Sequence, residues 1–161
     1  MSSTVYVGID PGKSGGICFL VPIKGSTLYA AMTYKCPNTL MDMAQLLTYP
    51  PIENLPPKFT LVCLLERVHS MPMQGVKSVW TFAENYGTWL GILATIPLAY
   101  DLIIPNKWMM YYGPKPKAKK DRKHHLKAIA QRLYPEAYIT LATADAILIA
   151  HYLMNNHNRS K

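Results

Sequence analysis

At 161 residues, half of them apolar and 16% charged, the chain is long enough for one domain with a proper core and too apolar for a disordered one. No apolar run reaches the roughly 18 residues of a membrane span. The opening MSSTVYVG has no basic stretch followed by an apolar one, so the expected compartment is the cytoplasm rather than a membrane or the exterior. The net charge of +8, from 17 basic and 9 acidic residues, favours a polyanionic partner, of which nucleic acid is the commonest.

The predicted elements begin with three strands, at 4–10, 16–22 and 27–33, joined by tight Gly-containing turns in the manner of an antiparallel meander. A short helix is expected within 38–48, then a Pro-rich connection, PPIENLPPK, at 50–58. FTLVCLLE, 59–66, is a continuous apolar run of strand length, so a buried central strand. In 78–95, Val79, Phe82, Ala83, Tyr86, Trp89, Leu90 and Leu93 recur at three- and four-residue spacings, which predicts a helix with that face inward. Its Gly87 and Gly91 lower helix propensity and permit close backbone approach. A fifth strand is expected at 98–104, then a short helix opened by Pro105 and a Pro/Lys loop at 113–120. Residues 121–134 read as a basic helix with Leu126, Ile129, Ala130 and Leu133 inward, and about 143–156 as a last helix packed through Ala146, Ile149, Ala150 and Leu153. Three hairpin-linked strands followed by αβαβ crossovers give a mixed five-stranded sheet with helices on both faces, the RNase H-like order.

Cys18, Cys36 and Cys63 are widely spaced without a C-x-x-C pair, and read as reduced and structural. The basic excess concentrates in KPKAKKDRKHHLK, 115–127, where Asp121 is the single acid. That run is either a nucleic-acid contact or a solvated basic loop.

Three acids stand where this topology brings them together. Asp10 ends the first strand and is followed at once by Pro11-Gly12; Glu66 ends the fourth; Asp145 lies in the first turn of the last helix. Strands one and four are parallel neighbours in an RNase H-like sheet, so their C-terminal ends lie side by side beneath that helix. Carboxylates gathered there repel one another without a cation. Oxygen-loving Mg²⁺ ions, two of them, would neutralise the cluster and could drive phosphodiester hydrolysis. Each acid also has an ordinary structural reading: Asp10 as a turn residue, Glu66 as a strand-end surface group, Asp145 as a favourable charge at a helix N-terminus.

VGIDPGKSG, LLERVHSMPMQGVKSVWTFAENYGTWLGIL, IIPNKWMMYYG and ADAILIAHYL together resemble the RuvC-type Holliday-junction resolvases, and most of all the plant chloroplast resolvases and phage proteins similar to them. The resemblance runs from about 4 to 156. It implies a metal-dependent endonuclease that resolves four-way DNA junctions as a homodimer, with Mg²⁺ (or Mn²⁺ in its place), no membrane association, and a phage origin acting in the host cytoplasm. It implies Asp10, Glu66 and Asp145 as metal-binding catalytic acids. Gln74, Gly75, Lys77 and Ser78 match its junction-contacting region. Lys107 and Trp108 match a Pro-x-x-Trp segment near the DNA face, though Trp108 also suits a core. Lys13, Lys115, Lys117, Lys119, Lys120, Arg122 and Lys123 would meet DNA phosphates.

One position departs from the pattern. These families carry a fourth acid, or a His, three or four residues before the last one, and here those places hold Ala142 and Leu141. A branched-DNA-binding protein that cuts poorly therefore stays open as an alternative. The D-x-G-x-S-G of Asp10 to Gly15 also resembles the phosphate-binding turn of actin-like kinases, but those need two such domains, and this chain is too short.

Overall fold

The computed structural model describes residues 3–53, 55–68 and 75–157. Five strands, β1 (Ser3–Asp10), β2 (Gly16–Pro22), β3 (Tyr29–Lys35), β4 (Phe59–Glu66) and β5 (Ala99–Ile103), form one sheet in the order β3-β2-β1-β4-β5. β1, β2 and β3 pair antiparallel, and β1–β4 and β4–β5 pair parallel. The helices are α1 (Leu40–Thr48), α2 (Val76–Thr95), α3 (Pro105–Met110), α4 (Lys119–Leu133) and α5 (Ala144–Asn156). This is the RNase H-like arrangement expected from the sequence.

Period-two alternation sorts the strand residues onto two cores. Val5, Val7, Ile9, Ile17, Phe19, Cys63 and Leu65 face one side, where Met43 and Leu47 of α1 and Trp89 and Leu93 of α2 close over them. Tyr6, Cys18, Leu20, Val62 and Leu64 face the other, against α5, Trp108 and Leu126, Ile129 and Ala130 of α4. The helix α5 lies between the sheet and α4, so Ala144 and every residue from Ala146 to Ala150 is buried, a wider face than the four positions expected. The three cysteines are buried and unpaired.

Several boundaries differ from the sequence reading. The β2–β3 hairpin closes through Ile23 N–H to the Leu28 carbonyl, with Gly25 at φ 75°. Thr27 and Leu28 are thus spent in the turn, and β3 runs two residues later than expected. Helix α4 starts at Lys119, inside the expected loop. Leu133, expected inward, is 39% exposed because the helix ends there and Tyr134 enters the core instead. Along α2 only Trp89 and Leu93 are fully buried, while Ala83 is exposed and Val76 and Trp80 project into solvent. Among the described residues, nothing outside the helix's own backbone lies within 4 Å of a Cβ placed on Gly87 or Gly91.

The contact that sets the depth of α5 is at Gly8. A Cβ there would stand 2.2 Å from the Ala146 carbonyl oxygen and 2.4 Å from the Ala150 nitrogen, inside the helix backbone. Gly8→Ala must push α5 off β1. Overpacking of this kind costs about 1–3 kcal/mol or more, so the thermal midpoint is expected to fall by roughly 2–12 °C or more. A melt at the wild-type temperature would show that α5 is seated differently.

Candidate active site

Strand parity and register bring the first two acids together. Ile9 lies opposite Leu65, so Asp10 and Glu66 are the next residues side by side. Both continue the Tyr6–Gly8 and Val62–Leu64 alternation and therefore share the α5 face of the sheet. Asp145, the second residue of α5, comes down onto the same place. Glu66 is buried, whereas Asp10 and Asp145 are partly exposed.

The turn after Asp10 is held from several sides. Gly12 takes φ 113°, and a Cβ on it would press on the Phe82 ring at 2.9 Å. Its N–H donates to Asn85 Oδ1 at 2.7 Å, and Asn85 Nδ2 donates to Cys36 Sγ at 3.2 Å. Gly15 N–H returns to the Gly12 carbonyl, and Cys36 N–H to that of Gly15. On the other side Trp108, fully buried, donates its indole N–H to Glu66 Oε1 at 2.8 Å. Asn85 carried no signal in the sequence, since its partner lies 73 residues away.

The electrostatics are those of a cluster short of positive charge. Burial raises the Asp10 carboxyl well above the usual carboxylate range, and Glu66 and Asp145 raise it further. Burial and Asp145 push Glu66 up to about 7, against the Trp108 hydrogen bond, which favours its charged form. Asp145 is raised by burial and pulled back by Lys123 and Arg122. The interaction between the Asp10 and Glu66 carboxyls raises Asp10 further and favours the charged form of Glu66. Lys123 is the cation felt by all three acids.

As they stand, no three Asp, Glu, His or Cys side chains among the described residues are drawn close enough to hold a metal ion. The donor chemistry does fit one: the acids supply hard carboxylate oxygens, and a cation would offset the burial and repulsion that raise the three carboxyls.

The other expected site residues fall in different places. Lys123 and Arg122 are half-buried rather than on an outer surface; the charge of Lys123 acts on all three acids and that of Arg122 on Asp145. Lys13 is exposed in the turn after Asp10; Gly75, Lys77 and Ser78 are exposed at the start of α2; Lys117, Lys119 and Lys120 are exposed at the start of α4. Lys115 donates to Asn106 Oδ1 at 2.7 Å. Lys107 lines a groove of about 320 Å³ between β5 and the far end of α5, away from Asp145. Trp108 is inside the protein, not on a DNA face. Gln74 lies outside the described residues. Ala142 precedes α5 in the 140–143 turn, so it does not share a helical face with Asp145; its carbonyl instead lies against Gly16.

No family model matches the sequence, and no curated protein matches it either. Solved structures do match. T. thermophilus RuvC in complex with a Holliday junction substrate aligns at a TM-score of 0.61 and 13% identity, over 98% of this chain and 97% of that one. A second Thermus thermophilus RuvC structure aligns at 0.59 and 15% identity, over 97% and 96%. This chain has the RuvC fold. At such identity the likeness to RuvC is one of backbone architecture, and the chemistry must be argued from the side chains above.

The raised carboxyls make a linkage prediction. A carboxyl whose native pKa lies above its unfolded value stabilises the fold fully at low pH, and that stabilisation is lost as pH rises through the native pKa. For Glu66 the window runs from about 4.5 to about 7. In a chelator, Glu66→Gln should therefore match wild type in thermal midpoint at pH 4 and exceed it increasingly up to pH 7–8. The gain is bounded by about 3 kcal/mol for a shift of this size. A difference that stays flat with pH would show that Glu66 is not held in a repelling, buried site.

Proposed function

We propose that the protein is a structure-selective endonuclease that resolves four-way DNA junctions by metal-dependent phosphodiester hydrolysis, with a single domain spanning the chain. The observation that carries this reading is the meeting of Asp10, Glu66 and Asp145, from three separate elements, on one face of a RuvC-like sheet beside Lys123.

Asp10, Glu66 and Asp145 would hold two Mg²⁺ ions, with Mn²⁺ able to replace them. Ions bound there would activate water and stabilise the departing 3′-oxygen. The chain's own residues do the rest. The turn fixed by Asn85 and Phe82 leaves Asp10 open to the surface. Lys123 supplies a positive charge beside the acids, suited to the phosphate that reacts. Lys13, Gly75, Lys77, Ser78, Lys117, Lys119 and Lys120 offer donors and charge to the flanking backbone. Paired cuts across a two-fold symmetric junction need two related sites, so the working unit is a homodimer. The exposed Val76 and Trp80 of α2 are apolar surface available to such a partner.

A second reading is a junction-binding protein that does not cut. Ala142 and Leu141 in place of a fourth acid favour it, as does the incomplete convergence of the three acids. Nicking of a labelled four-way junction with and without Mg²⁺ decides between them. On the first reading, Asp10→Asn and Glu66→Gln reduce nicking at least ~100-fold, while junction binding in EDTA stays nearly unchanged. Wild-type cutting rates in either variant would remove these acids from the chemistry.

Affinity is expected to reside in the exposed lysines. Replacing Lys117, Lys119 and Lys120 by Ala should weaken binding to duplex arms of any shape. Each lost phosphate contact should lower the slope of log K against log salt by about 0.9. An unchanged slope would make the start of α4 a solvated face.

A further inference from the structure

We propose that Trp108 is a positioning residue for Glu66, an uncharged donor that aims this carboxylate at the site; the inference rests on the function proposed above. The geometry is specific. The indole is fully buried, and its only polar atom meets Glu66 Oε1 at 2.8 Å, 42 residues away along the chain. The sequence reading offered Trp108 either as a DNA contact or as plain core, and the structure buries it in the core with a carboxylate partner.

An indole suits this task for three reasons. It donates one hydrogen bond and accepts none, so it can only address an acceptor oxygen. It is held rigidly: Pro105 opens α3 at its first position, and the Tyr112 ring lies against Trp108 edge-on at 6.3 Å. It is neutral, so it orients Glu66 without cancelling the charge a cation needs. A lysine at the same place would compete with that cation, as an ion pair does. Groups that orient a metal ligand from behind typically carry a factor of 10–100 in metal affinity.

The test uses the whole protein with Trp108→Phe, which keeps most of the ring and removes the donor. Should that variant not fold, the sulfur isostere of tryptophan, β-(3-benzothienyl)alanine, placed at 108 keeps the shape and still lacks the N–H. Mn²⁺ affinity is measured by calorimetry and nicking as a function of Mg²⁺. The expected result is roughly tenfold or greater weakening of metal binding, with junction affinity in EDTA unchanged and nicking largely restored at high Mg²⁺. Of the following signals, the response to Mg²⁺ is the one a merely structural role would not give, and the response to Glu66→Gln confirms the bond itself. In ¹⁵N-labelled protein the Trp108 indole resonance, assigned by its loss in Trp108→Phe, should shift on adding Mg²⁺ and again in Glu66→Gln, while that of the exposed Trp80 stays. A donorless variant that binds Mn²⁺ as wild type does, or a Trp108 resonance indifferent to both changes, overturns the inference alone. A wild-type protein that binds no metal overturns the proposed function and this inference with it.

Discussion

The structure depends on one close approach, the backbone of α5 against β1 at Gly8. No side chain fits between them, so the helix rides directly on the strand. Ala146 and Ala150, one turn apart, keep the helix surface shallow at this contact. Gly16 on the neighbouring strand does the same for the turn before the helix, where a Cβ would meet the Ala142 carbonyl at 2.9 Å. Two glycines on adjacent strands thereby fix both the height and the entry of α5. Asp145, one residue before Ala146, is carried to its position by that seating. Asp10, two residues past Gly8 on the same face, waits beneath it.

What this seating creates is unfavourable electrostatically. Three carboxyls with raised pKa values converge where solvent is partly excluded, and the fold answers with the Lys123 charge and the Trp108 hydrogen bond. Such groups cost stability in the isolated protein and are retained where they serve chemistry. The surrounding packing compensates. Both faces of the sheet are closed by large buried side chains, Trp89 and Leu93 on one and Trp108, Leu148 and Ile147 on the other, so local repulsion sits inside a well-packed frame.

The parts legible in the sequence are those governed by local rules. Alternation in VYVGID and the apolar run FTLVCLLE give strands, their ends give Asp10 and Glu66, and three hairpin-linked strands before αβαβ give the sheet order. The acids were legible because topology and parity together leave them one place to go. The misses have tertiary causes. Thr27 looks like strand and is used by the hairpin turn. Val79 to Leu93 has a regular apolar period, yet only its C-terminal half lies over the sheet. Asn85 and Trp108 gain their roles from partners far along the chain. Lys123 is one lysine in a basic run, and only the crossing of α4 over α5 singles it out.

That crossing also bears on the acid missing before Asp145. A fourth carboxylate would add a negative charge to a largely buried set of three acids that only Lys123 and, at Asp145, Arg122 offset. Residue 142 lies in a turn whose side-chain acceptors are its threonine neighbours: Thr140 N–H donates to Thr143 Oγ1, and Ala142 N–H to Thr140 Oγ1. The turn is therefore closed by threonine hydroxyls, which are neutral, where an aspartate would bring charge. The chain thereby avoids a further negative charge at the mouth of α5. The same neutral bonding appears at Trp108. Around these carboxylates the protein uses hydroxyl, indole and backbone donors to fix geometry, and the opposing positive charge comes from Lys123 and Arg122.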